Sequence, residues 1–185
     1  HENCVKVLHQ LVPDSFTVLN DELPSHYAAL NGHENCIKVL HQLVPDSFTK
    51  QHKNGLVPSH YAAFNGHENC VKVLHQLVPD SFTVQNNDGD LPVHCAAMNG
   101  HENCVKVLHQ LVPASFTVQS NDGRLPSHYA AMNGHENCVK VLHQLVPDSF
   151  TVQTKDGLVP SHYAAGNGNE NCVKVLHQLV PDSFA

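Results

Sequence analysis

Residues 1–15 read HENCVKVLHQLVPDS, and near-copies of this stretch begin at His33, His67, His101, His135 and Asn169. The successive starts lie 32, 34, 34, 34 and 34 residues apart. A fixed period of this length predicts a solenoid, in which each unit is too small to bury its own apolar face and stacks on its neighbours. Within ENCVKVLHQLV the only change across six copies is Ile37 for Val. What repeats identically is scaffold, so function is to be sought where the copies differ.

The unit Phe116 to Ser149 shows how the repeat folds. Ser120 to Gly123 (SNDG) is turn chemistry, with Asp122-Gly123 its strongest signal. Pro126 suits the first position of a helix, where its missing N–H costs nothing. The short helix SHYAAMN ends at Asn133-Gly134, and Ala130 and Ala131 allow a neighbouring backbone to approach closely. A second helix is predicted from about Glu136 to Val146. Cys138, Val139, Val141, Leu142 and Leu145 form its apolar face, Glu136 precedes Lys140 by one turn, and Pro147 stops it.

This order of turn, short helix, glycine turn and longer helix resembles the ankyrin repeat. The family pattern D-G-x-T-P-L-H-x-A-A-x-x-G-H is matched by DGRLPSHYAAMNGH, Asp122 to His135, and equally well by Asp88 to His101. The 34-residue period also suits a tetratricopeptide repeat, but the W-x-x-L-G signature is absent and the chain has no Trp. Two departures stand out. The family's helix-capping Thr is Leu23, Val57, Leu91, Leu125 and Val159 here, so that cap must be replaced or lost, at about 1 kcal/mol per helix. The Leu that follows the Pro is Ser in four copies and Val93 in one. The expected fold is an all-α solenoid with β-turn or hairpin tips, about 50 Å long at ~10 Å per unit. Its divisions are a half repeat at 1–15 and repeats at 16–47, 48–81, 82–115, 116–149 and 150–185.

The copies differ in two places. One is the turn tip: Leu19-Asn20, then His52 and Lys53, Asn86 and Asn87, Ser120 and Asn121, Thr154 and Lys155, followed by Glu22, Leu56, Asp90, Arg124 and Leu158. The other is late in the first helix: Leu30, Phe64, Met98, Met132 and Gly166. The pair Ser127/Tyr129 also becomes Val93/Cys95 in the middle unit alone. The resemblance implies that tips and first helices line a concave face where a protein partner docks. The expected function is therefore non-catalytic protein recognition through Leu30, His52, Lys53, Phe64, Asn86, Asn87, Asp90, Met98, Ser120, Asn121, Arg124, Met132, Thr154, Lys155 and Leu158. Neutral drift after recent duplication gives the same pattern, as does an engineered or consensus-derived array with chosen positions diversified. A purely structural or self-assembling array is the alternative.

Composition narrows the partner. Ten Lys and Arg against seventeen Asp and Glu give a net charge of −7, which argues against nucleic acid. No apolar run approaches the ~18 residues that span a bilayer. The chain starts at His1 inside a repeat, with no signal-peptide pattern, and is expected to be a slice of something longer, processed or engineered. Six of seven cysteines, Cys4, Cys36, Cys70, Cys104, Cys138 and Cys172, share one column. Stacked helices lie ~8–10 Å apart while a disulfide wants ~7 Å or less, so free thiols and an intracellular setting are expected. Open ends carrying Cys4, Val7, Leu8 and Leu11 at one side, and the helix from Glu170 to Val180 at the other, predict end-to-end stacking.

Seventeen histidines invite a catalytic or metal reading. All but His52, which stands alone on a tip, fall instead into columns: His26, His60, His94, His128 and His162 after the proline; His9, His41, His75, His109, His143 and His177 in the second helix; and His1, His33, His67, His101 and His135 after the glycine. Repetition in every unit predicts a bracing role, with imidazoles bonding the next loop's backbone. A zinc site needs about four ligands within ~2.0–2.3 Å, and no C-x-x-C or H-E-x-x-H occurs. No Ser-His-Asp constellation or phosphate loop stands out. No catalysis, cofactor or metal is expected.

Overall fold

The computed structural model of the chain describes residues 23–184, together with Asn3 and Lys6. Expectations that fall on Cys4, Val7, Leu8, Leu11, Leu19, Asn20 and Glu22 lie outside the described residues. Within residues 23–184, ten α-helices form five antiparallel pairs: α1 (Pro24–Leu30) with α2 (Glu34–Leu43), α3 (Pro58–Phe64) with α4 (Glu68–Leu77), α5 (Pro92–Met98) with α6 (Glu102–Leu111), α7 (Pro126–Met132) with α8 (Glu136–Leu145), and α9 (Pro160–Gly166) with α10 (Glu170–Leu179). A 3₁₀ turn follows each pair, as at Pro45–Phe48 and Pro147–Phe150. No strand occurs among the described residues. Successive first helices pack on each other, as do successive second helices, giving an all-α solenoid.

The local causes follow the sequence. Each first helix opens on its proline, and the preceding Leu or Val is extended, at φ −89 and ψ 158 for Leu23, as a residue before proline must be. Leu and Val cannot accept a hydrogen bond, so the missing cap is replaced from the other side. The backbone N–H of Leu23 donates to His26 Nδ1 at 3.1 Å, and that of Leu91 to His94 Nδ1 at 2.9 Å. The serine after the proline is an internal brace: Ser59 Oγ donates to Ser81 O at 2.9 Å and Ser127 Oγ to Ser149 O at 3.0 Å. Val93 has no hydroxyl, so the middle unit lacks this brace.

The second helices end one residue earlier than the sequence predicts. Val146 stands just beyond α8 with φ −143, because the residue before Pro147 is driven out of the helical region. The following 3₁₀ turn drives a phenylalanine inward. Phe48, Phe82, Phe116 and Phe150 are fully buried and form one core with the cysteine column and the Val/Leu face of the second helices. In the three inner units the stacked alanine pairs, such as Ala96-Ala97 and Ala130-Ala131, have no exposed surface, whereas Ala165 of the last pair is exposed. Those small side chains let successive first helices pack directly on each other.

Candidate functional site

Three histidine columns fix the geometry of the face, each in a different way. In the first, Nδ1 accepts from the helix's own N-cap, so the proton sits on Nε2. That nitrogen donates to the following hairpin: His26 to Lys50 O at 3.1 Å, His60 to Asp90 O, His94 to Val118 O and His128 to Val152 O at 3.0 Å. Protonating Nδ1 would set two donors against each other in a dry site. Burial accordingly lowers the pKa of His60, His94 and His128 to about 4. This column braces the next loop, as expected from the sequence.

The column after the glycine turn braces backward. His67 Nε2 bonds Leu30 O at 3.0 Å, while His101 reaches Phe64 O and His135 reaches Met98 O, both at 2.9 Å. These are helix-end carbonyls otherwise left without a partner. In the last pair Asn169 Nδ2 takes over, at 2.8 Å from Met132 O. The second-helix column bonds no loop in this way. His41, His75, His109 and His143 each lie edge-on or tilted against their own phenylalanine at 5.2–5.8 Å. Among the described residues, no three His, Cys, Asp or Glu side chains converge as a metal site would require.

The tips are linked into a ladder. Asn87 N donates to Asn54 O at 3.0 Å, Asn121 N to Asp88 O at 2.9 Å and Lys155 N to Asp122 O at 3.1 Å. Asn87 and Asn121 also spend their side-chain amides on the preceding tip, at 2.9 Å each. The first position of the tip is an internal clamp. Asn86 Oδ1 accepts from the N–H groups of Asp88 and Asp90, Ser120 Oγ from Arg124 and Thr154 Oγ1 from Leu158. His52, Ser120 and Thr154 are accordingly buried, with Asn86 half-buried.

The candidate residues therefore divide by exposure. Lys53, Phe64, Asn87, Asn121 and Lys155 are exposed, and Leu30, Met98, Met132, Arg124 and Leu158 are half-buried along the same face. Asp90 is buried at 3% exposure and accepts a hydrogen bond from Tyr129 Oη at 2.8 Å. Burial pushes its carboxyl up to about 6, against the lowering effect of that hydrogen bond. Arg124, the one arginine of the sequence, lies over the rings of Tyr129 and Tyr163 at 5.9 and 5.3 Å and pairs with Asp122 at 3.3 Å. The sequence marks Tyr129 only as the residue that becomes Cys95 in the middle unit, not Tyr129 and Tyr163 as partners of Arg124. The available signal was a charged residue, Asp90 and then Arg124, in a column that is otherwise Leu after the first unit.

The face is thus built from hairpin tips and first helices over a histidine-braced, invariant frame. Family comparison agrees: the description "Ankyrin repeats (3 copies)" matches residues 1–77, 25–110 and 60–146, and "Ankyrin repeats (many copies)" matches residues 127–177. The chain belongs to the ankyrin repeat family. Ankyrin repeats generally serve as scaffolds for protein–protein interaction and are typically non-catalytic. Comparison with curated proteins gives no match. No described helix is long and apolar enough to cross a membrane.

Proposed function

We propose that the chain is a non-catalytic binding module that recognises a protein partner through its tips and first helices. The observation that carries this reading is the placement of the variable positions. Leu30, Phe64, Met98 and Met132 change in side chain while their backbone carbonyls hold the same bracing contacts, or, at Met132, the asparagine substitute. Variation there alters a surface and leaves the frame untouched. Phe64, at 45% exposure, is an aromatic side chain left in solvent at the middle of that row. The opposite face carries Glu–Lys pairs such as Glu136–Lys140 at 2.5 Å, which satisfy each other. Near-identity of the scaffold columns fits copies generated together, by duplication or by design, and then diversified on this face.

A partner identified by affinity capture tests the reading. The combined substitution Phe64→Ala, Met98→Ala and Met132→Ala is expected to abolish capture while leaving the circular dichroism spectrum unchanged. Retained capture by that variant would overturn the assignment. The buried free thiols of Cys36, Cys70, Cys104, Cys138 and Cys172 fit a reducing, intracellular setting.

A further inference from the structure

In three of the five described helix pairs, a tyrosine packs edge-on against the histidine of the pair before it. Tyr61 meets His26 at 5.6 Å and 82°, Tyr129 meets His94 at 5.8 Å and 84°, and Tyr163 meets His128 at 5.8 Å and 81°. The series is interrupted once. Cys95 stands where the tyrosine belongs, so His60 has no ring on that side. A cavity of about 140 Å³ occupies the place, lined by Leu30, Leu56, His60, Tyr61, Phe64 and Cys95, with no polar surface on its walls. It opens on the face already assigned to partner binding, beside exposed Phe64.

We propose that this cavity receives an aromatic side chain of the protein partner, which takes the position that tyrosine fills in the other units. The proposal rests on the binding-face reading above and names its anchor. Three features of the protein select the occupant. Its shape is set by the missing ring, and its surroundings are apolar, so a bare aliphatic or aromatic group loses nothing by entering. The edge-to-face geometry against the histidine below, repeated three times elsewhere, favours an aromatic group over an aliphatic one. Charge supplies the third feature. Exposed Asp88 stands in the tip that leads into α5, the helix carrying Cys95, and no charged side chain lines the cavity itself. The chain as a whole is at −7. The anchoring ring therefore has a lysine or arginine close to it in the partner segment, on the side of Asp88. Lys53, one tip earlier, sets the opposite polarity on the other side.

The substitution Cys95→Tyr provides the test, because it installs the residue that the other pairs carry and fills the cavity from within. It is expected to fold at least as stably as the wild type, which a thermal melt verifies. A phage-displayed library of random peptides serves as the probe, selected on the wild-type chain. Enriched peptides are expected to share an aromatic residue with Lys or Arg nearby. They should bind Cys95→Tyr about tenfold or more weakly and Asp88→Asn about threefold more weakly. Peptides that lack an aromatic residue, or that bind Cys95→Tyr as well as wild type, overturn the anchor; so does a library that yields no binder. If such peptides still lose binding to the Phe64→Ala, Met98→Ala and Met132→Ala variant, the face stands and only the anchor falls. Binders indifferent to both variants overturn both.

Discussion

Alanine at Gly100 and alanine at Gly168 place the same strain on the backbone and different demands on the neighbour. Both glycines sit at φ +70, ending the first helix of their pair. Holding alanine in that left-handed region costs about 1–2 kcal/mol at either position. A Cβ at Gly168 meets nothing within 4 Å, so that backbone cost is the whole effect. A Cβ at Gly100 would lie 2.5 Å from His135 Nδ1 and 2.6 Å from its Cγ. The imidazole must swing away, which breaks its 2.9 Å bond to Met98 O and leaves a helix-end carbonyl without its donor. That loss adds about 1–3 kcal/mol. Gly100→Ala should therefore lower stability by about 2–5 kcal/mol and Gly168→Ala by about 1–2 kcal/mol in urea unfolding followed by circular dichroism. The background His135→Ala removes the ring, and there Gly100→Ala should fall back toward the Gly168 value, a coupling of about 1 kcal/mol or more. Equal costs at the two glycines, or no coupling to His135, would refute the inter-unit bracing described here.

Three further outcomes are expected. Acid should unfold the array early: His60, His94 and His128 titrate near 4 in the fold and near 6.5 when unfolded, so the stability they lend is present above about pH 6.5 and is lost as pH falls toward 4. At about pH 5 each has given up roughly 2 kcal/mol relative to neutrality, and Asp90, raised to about 6, offsets roughly 1 kcal/mol of the sum; a urea midpoint flat from about pH 7.5 to 5 contradicts this. Asp90→Asn keeps an acceptor for Tyr129 and removes a buried charge, so it should raise the melting temperature at pH 7, by roughly 1–3 kcal/mol in stability; an unchanged or lower melting temperature would show that the charge is compensated. The 185-residue chain is expected to associate end to end at high concentration, with Phe184 (40% exposed) and half-buried Leu179 and Val180 in the contact; strict monomers in sedimentation equilibrium rule that out.

Much of this architecture was legible because the period is written in nearly identical letters. Proline before each short helix, Asn-Gly after it, and the Cys-Val-x-Val-Leu face of the second helix each dictate a local outcome. The replacement of the threonine cap could not be read so directly. It depends on His26, His60 and their equivalents folding back by one turn, and a histidine three residues into a helix does not announce that geometry. The candidate face was legible as a set of columns, yet not as a surface. His52, Ser120 and Thr154 vary as exposed residues do, but each is turned inward to hold its own hairpin. Asp90 and Tyr129 lie 39 residues apart in sequence. Their contact depends on how far one unit is rotated on the next, which no local pattern encodes.

The most direct test of the central claim is a hydrogen-exchange footprint of the chain with a selected partner bound. Protection is expected in the first helices from Leu30 to Met132 and in the tips at Lys53, Asn87, Asn121 and Lys155. Protection confined to the second helices, along Lys38, Lys72, Lys106 and Lys140, would place the partner on the opposite side and contradict the account.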